Sequence, residues 1–153
     1  MLDERVAVAP SIIQDVYELA NVLRFDDSLE LRNMGAVPVK IMRENFKQGL
    51  LRKTYFVEGK IAAMTGMCGS ALDDIGEPYL FTSSAVEKVP LAFVKEARRS
   101  VNEMLEIKSI LRGYCAADYT GACRLLEMIG FTLGEPFQWH STGALFRSFE
   151  RVR

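Results

Sequence analysis

Between residues 78 and 112 a strand-like run gives way, across a short polar break, to a long helical repeat. No other stretch restricts the fold as much. Tyr79, Leu80, Phe81 and Thr82 form a short apolar β-forming run behind Pro78, the pattern of a central strand. Residues 83–89 break that run, and Pro90 stands where a first helical position tolerates a missing N–H. From there Leu91, Val94, Ala97, Val101, Met104 and Leu105 recur three or four apart, while Lys95, Glu96, Arg98, Arg99 and Glu103 take the other side. One face should pack on a sheet and the other should meet water. A strand feeding a helix through a polar turn leaves unpaired N–H groups at the helix start, which is a ready anion site. A phosphate-bearing cofactor would bind there.

The rest of the composition narrows what that site could serve. The net charge is −1, so nothing in the overall electrostatics calls for DNA, RNA or an anionic membrane as partner. No apolar run approaches the roughly 18 residues of a membrane span, and the first residues lack the apolar region of a signal peptide. Cys68, Cys115 and Cys123 are without paired metal spacing, and His140 is the only histidine. No metal site is expected, and the thiols read as buried and free in a reducing compartment. At 153 residues the chain suits one domain with a substantial core.

Read in order, Val6, Ala7 and Val8 suggest a short strand closed by Pro10. Ile12, Val16, Leu19, Ala20 and Leu23 mark one helix face, with Ser11 as N-cap. Asp26, Asp27 and Ser28 can cap a second short helix that Gly35 ends, and Pro38 opens a third that runs to Gly49. This polar, helical third could fold over a substrate cleft or be plain packing. A hairpin follows: residues 53–57, a turn at Glu58, Gly59 and Lys60, and residues 61–68. Residues 70–77 read as a loop before the central strand. After the long helix, residues 110–117 form a buried strand and residues 119–129 a helix capped by Gly130, with Phe131 dropping back onto the core. Residues 131–133 and 144–149 finish as strands around a loop from Gly134 to Gly143.

This order, spanning nearly the whole chain, resembles the GNAT N-acetyltransferase superfamily. The residues that carry the resemblance are the Gly35-x-x-Pro38 break within 30–43, the hairpin at Glu58-Gly59-Lys60, the run 84–93 into the long helix, and Met128-Ile129-Gly130-Phe131-Thr132. More narrowly the chain is similar to the phage-encoded branch that includes small internal virion proteins of podophages. The resemblance implies one α+β domain over residues 1–153. Its central sheet would be mixed but mostly antiparallel, with a splayed pair of parallel strands and helices on both faces. Two functions follow as alternatives. One is an acetyl-CoA-dependent N-acetyltransferase acting on a small-molecule or protein amine in the host cytoplasm. The other is a non-catalytic virion or head-assembly protein whose partners are phage structural proteins. A homodimer is the candidate assembly.

In GNAT enzymes the turn after the fourth strand reads Arg/Gln-x-x-Gly-x-Gly/Ala and grips the cofactor pyrophosphate. Matched without gaps, its positions here are Glu87, Lys88, Val89, Pro90, Leu91 and Ala92, of which only Ala92 fits. Glu87 brings negative charge toward the phosphates, Pro90 removes an amide donor, and Lys88 offers a compensating cation. The resemblance places the pantetheine arm along Phe81, Thr82 and Ser83, with phosphates on the amides from Val86 through Ala92. The same turn reads equally as a connection that binds nothing. The family's general-acid tyrosine would fall at Leu126, so Tyr114 and Tyr119 are the substitutes, or half-buried rings with no chemical role. Glu77 and Asp118 are the candidate general bases; Asp118 could instead cap the helix starting at Tyr119. Trp139 and His140, in the last loop, would form a lid or cover the core.

Overall fold

The computed structural model describes residues 3–153. Strand β1 (Val6–Pro10) is followed by helices α1 (Ile13–Asn21), α2 (Phe25–Asn33) and α3 (Pro38–Gln48). Next come β2 (Leu50–Val57), β3 (Lys60–Cys68) and β4 (Ile75–Thr82). A 3-10 turn (Ser84–Lys88) leads into α4 (Pro90–Ile107), and β5 (Ile110–Ala116), α5 (Thr120–Met128), β6 (Thr132–Leu133), β7 (Phe137–Gln138) and β8 (Leu145–Val152) complete the chain.

The strands form one sheet in the order β1-β2-β3-β4-β5-β8-β6, with β7 pairing β8. Every pairing is antiparallel except that of β4 with β5. Those two run parallel and meet only at Ile75↔Ile110 and Gly76↔Leu111. Beyond Gly76 they part, and Pro78 follows two residues later with no N–H to offer either neighbour. On one face α1, α2 and α3 pack through Val16, Leu19, Leu31 and Met42 against Ile61, Met64, Tyr79 and Phe81. On the other, α4 and α5 pack through Val101, Met104, Leu105 and Cys123 against Met67, Leu111, Cys115 and Phe149. This is the α+β sandwich that the element order implies, and the splay is its defining irregularity.

Local chemistry accounts for most element ends. Glu58 and Gly59 both have positive φ (50° and 80°), the primed turn that matches the twist of β2 and β3. Pro38 and Pro90 sit in the first turns of their helices. Gly130 (φ 97°) ends α5: its N–H bonds Glu127 O, and the Phe131 N–H bonds Leu126 O, the paired closure of a Schellman motif.

Several sequence expectations are corrected. Ser11 does not cap α1; its hydroxyl accepts from Thr54 Oγ1, and the N-cap is Ile12, whose N–H is held by Asp15. Asp26 and Asp27 lie inside the first turn of α2, behind the N-cap Arg24. Strand β4 begins at Ile75 within the expected loop. Lys108 Nζ holds that loop in place by donating to Ser70 O and Asp73 O, each at 2.6 Å. The loop before β8 contains β7, and β8 runs on to Val152. On α4, Leu91 is 82% exposed while Glu96 is buried at 8%, because the N-terminal half of the helix overhangs a cavity rather than a flat sheet.

Candidate active site

The parting of β4 and β5 opens a cavity of about 500 Å³. Leu31, Met34 and Ile41 from the α1–α3 face and Ser100, Val101 and Leu125 from the α4–α5 face line it together. It therefore lies within the splay, with walls from both faces of the sheet.

Two carboxylates of α2 reach the splay. Glu30 Oε2 accepts the Ala116 N–H at 2.9 Å, at the end of β5. Burial pushes the Glu30 pKa from 4.5 up to about 7; the Ala116 bond opposes this, and the charges of Asp27 and Asp118 add to it. One turn earlier, Asp27 Oδ2 accepts the Thr82 N–H (2.7 Å) and the Thr82 hydroxyl (2.6 Å) at the end of β4. Asp27 Oδ1 accepts the Tyr119 hydroxyl. Burial, then the charge of Asp27, raise the pKa of that hydroxyl, so Tyr119 stays protonated as a donor. Arg24 completes the cluster. Its N–H donates to Thr82 O at 2.9 Å and its Nε to Thr82 Oγ1 at 2.7 Å.

The cluster unites some of the residues expected from sequence and separates others. Thr82 and Tyr119 belong to it. Tyr114 lines the same cavity but is half-exposed, edge-on to Phe137 and Trp139. Glu77 is not ahead of the central strand but within β4, one residue past its last pair with β5. Asp118 lies beyond the far end of β5, about 20 Å along the strands from that level by strand rise. Asp118 does not cap α5 either; the N-cap is Tyr119, and Asp118 acts on Glu30 only through its charge. Trp139 covers the core: its ring lies on fully buried Phe146 (4.9 Å between centroids), and its Nε1 donates to Met34 O at 3.1 Å.

On the expected phosphate turn, Phe81, Thr82, Ser83, Val86 and Val89 are buried, and all but Ser83 line the cavity. Much of the turn's backbone is already paired. Ala85 N–H bonds Ser83 Oγ, Val86 N–H bonds Ser83 O and Val89 N–H bonds Val86 O. The Phe93 N–H is the first of α4 to bond back, to Val89 O, which leaves the Leu91 and Ala92 amides as the open donors of the helix start. Exposed Lys88 flanks them. Glu87, also exposed, is 3.8 Å from the Arg24 guanidinium.

Sequence alone does not mark Glu30 as a site residue, nor Asp27 beyond a capping role. Both stand in a polar helix whose inward face shows no clear period. A carboxylate three residues before or after another is ordinary on a solvated helix, so no local signal separates these two.

A mostly antiparallel sheet with one splayed parallel pair, helices on both faces and a cavity through the splay is the GNAT acetyltransferase fold. Solved structures bear this out. The chain matches the microcin C7 self-immunity acetyltransferase MccE, solved with acetyl-CoA and AMP, at a TM-score of 0.68 and 9% identity, over 99% of this chain and 94% of that one. It matches the ribosomal-protein-alanine N-acetyltransferase from Brucella melitensis at 0.69 and 11%, over 96% and 99%. The ribosomal-protein-S18-alanine N-acetyltransferase from Escherichia coli gives 0.69 and 11%, over 96% and 93%. No family model matches the sequence, and no curated protein does. At such identities the likeness establishes the fold alone.

Proposed function

We propose that this chain is an acyl-CoA-dependent N-acetyltransferase in which Glu30 is the general base and Tyr119 the general acid. The observation that carries this reading is the Glu30 carboxyl, held by the Ala116 N–H at the open end of the splay, its pKa pushed up to about 7, in a cavity lined from both faces. A base poised near neutrality takes a proton from an ammonium or amine most effectively. Tyr119 Oη, kept protonated, is the donor for a departing thiolate. Acetyl-CoA would supply an acetyl group activated as a thioester. The Leu91 and Ala92 amides with Lys88 would hold its phosphates, and the open edge of β4 at Leu80 and Thr82 would hold its arm, since Phe81 and Ser83 turn their backbone toward β3. Tyr114, at the cavity edge, fits the acceptor side, and Asp118, whose charge reaches Glu30, adds negative charge that favours a cationic amine, while Glu77 lies too far along β4 to contribute. The neighbours in fold include enzymes named for acetylating a ribosomal-protein alanine, so peptide N-termini belong beside small amines among the acceptors to try.

One observation favours the second reading, a non-catalytic assembly protein of a phage that retains the scaffold. The backbone of Thr82 is already satisfied within the chain, and Glu87 and Pro90 weaken the phosphate turn. The host cytoplasm is the setting of the first reading and the virion that of the second. Acetyl transfer to a panel of small amines and N-terminal peptides separates them. Turnover by the wild type that falls roughly a hundredfold or more in Tyr119→Phe supports the enzyme. Cofactor binding without transfer to any acceptor, or no binding at all, would favour the scaffold.

A further inference from the structure

A ligand arm that joins a sheet as an extra strand needs the N–H and C=O of alternate residues on an open edge. On the splayed side of β4, alternation from Thr82 makes those residues Thr82, Leu80 and Pro78, since the Ser83 N–H faces β3 through Ala62 O. Pro78 has no N–H, so the edge rests on Leu80 and Thr82. Thr82, the outermost, is filled from within. Asp27 takes its N–H, Arg24 N–H takes its C=O, and Leu23 forms a bridge with Ser83 as a short antiparallel strand would.

We propose that residues 23–27 are an internal stand-in for the cofactor arm, and that Asp27 is the clasp an acyl-CoA must displace to enter. The proposal rests on the acyl-CoA reading above and adds how the cleft is guarded. It also couples entry to chemistry. Asp27 holds Thr82 with one oxygen and Tyr119 with the other, so an arm that takes over the Thr82 edge frees the Tyr119 hydroxyl to turn toward the thioester sulfur. Asp27 is thus a positioning residue: it orients Tyr119 and keeps it from donating elsewhere until the arm is seated.

A residue with a merely structural role would, when weakened, lower stability and weaken binding together. A clasp separates the two. Asp27→Asn preserves shape but exchanges charge-assisted bonds for neutral ones. It should lower the Tm of the free protein and yet tighten acetyl-CoA binding roughly fivefold in calorimetry. The wild type gives an independent readout by deuterium exchange. Acetyl-CoA should raise exchange over residues 23–28 while protecting residues 79–92. Protection of residues 23–28, or an affinity that Asp27→Asn leaves unchanged or weakens, would overturn the clasp and leave the cofactor reading standing. Absence of binding by both proteins would overturn the cofactor reading and the clasp with it.

Discussion

Glu30 shows how one half-buried carboxyl can oppose stability while it stands ready for the role proposed for it. Its folded pKa of about 7 lies above the ordinary 4.5, so ionising it costs more in the folded than in the unfolded state. Below about pH 4.5 the group is protonated in both states and the penalty is absent. As pH rises the unfolded chain ionises first, and stability falls until about pH 7, by up to about 3 kcal/mol for a shift of this size. Glu30→Gln has no proton to lose. Its Tm should match the wild type near pH 4 and exceed it at pH 8, as calorimetric melts across that range would show. Acetyl transfer should move the opposite way, rising in the wild type as pH passes 7 and falling roughly 10²–10⁴-fold in Glu30→Gln. Equal melting temperatures at pH 8 would mean that the carboxyl is solvated and is not the base.

Among the elements, α5 is the one whose end the sequence marks most clearly. Gly130 supplies the left-handed residue and Phe131 the apolar contact that follows it, 5% exposed and edge-on to Phe149 at 5.1 Å. Phe131→Ala should cost about 3–5 kcal/mol in denaturant unfolding, and a loss below about 1 kcal/mol would show that the ring is not core. The cap bears on the site because Tyr119, whose hydroxyl meets Asp27, is the N-cap of the same helix. Helix α4 was less legible. Its last turns, with Val101, Met104 and Leu105, bury as the period predicts, but its first turns face the splay, where Glu96 and Ser100 are buried and Leu91 is not. Periodicity assumes a continuous packing surface, and here the surface has a hole in it.

At the scale of the whole molecule, the two sheet halves share only the short β4–β5 contact, so anything that spans the splay should stabilise both. Acetyl-CoA at a hundredfold excess over its dissociation constant should add about 2.7 kcal/mol, a shift of several degrees in Tm. Lys88→Ala should reduce that shift by removing a cation near the phosphates, and Glu87→Gln should enlarge it by removing a repelling charge. A thermal titration of the three proteins checks the order. Equal shifts would place the phosphates away from this turn.

What the sequence determined by itself was the order of the elements apart from β7 and the ends of several of them, because turns and hydrophobic periods are set by neighbours a few residues apart. Gly59, Pro90 and Gly130 could be read from the chain alone for that reason. The Tyr119 hydroxyl could be singled out as a donor, but its acceptor could not. Asp27 is 92 positions away, Glu30 is 86 from Ala116, and Asp27 is 55 from Thr82. Only the folded sheet decided these meetings. When β4 and β5 part, the freed N–H groups of Thr82 and Ala116 need acceptors in a dry place, and α2, crossing the gap, brings two carboxylates one turn apart to supply them.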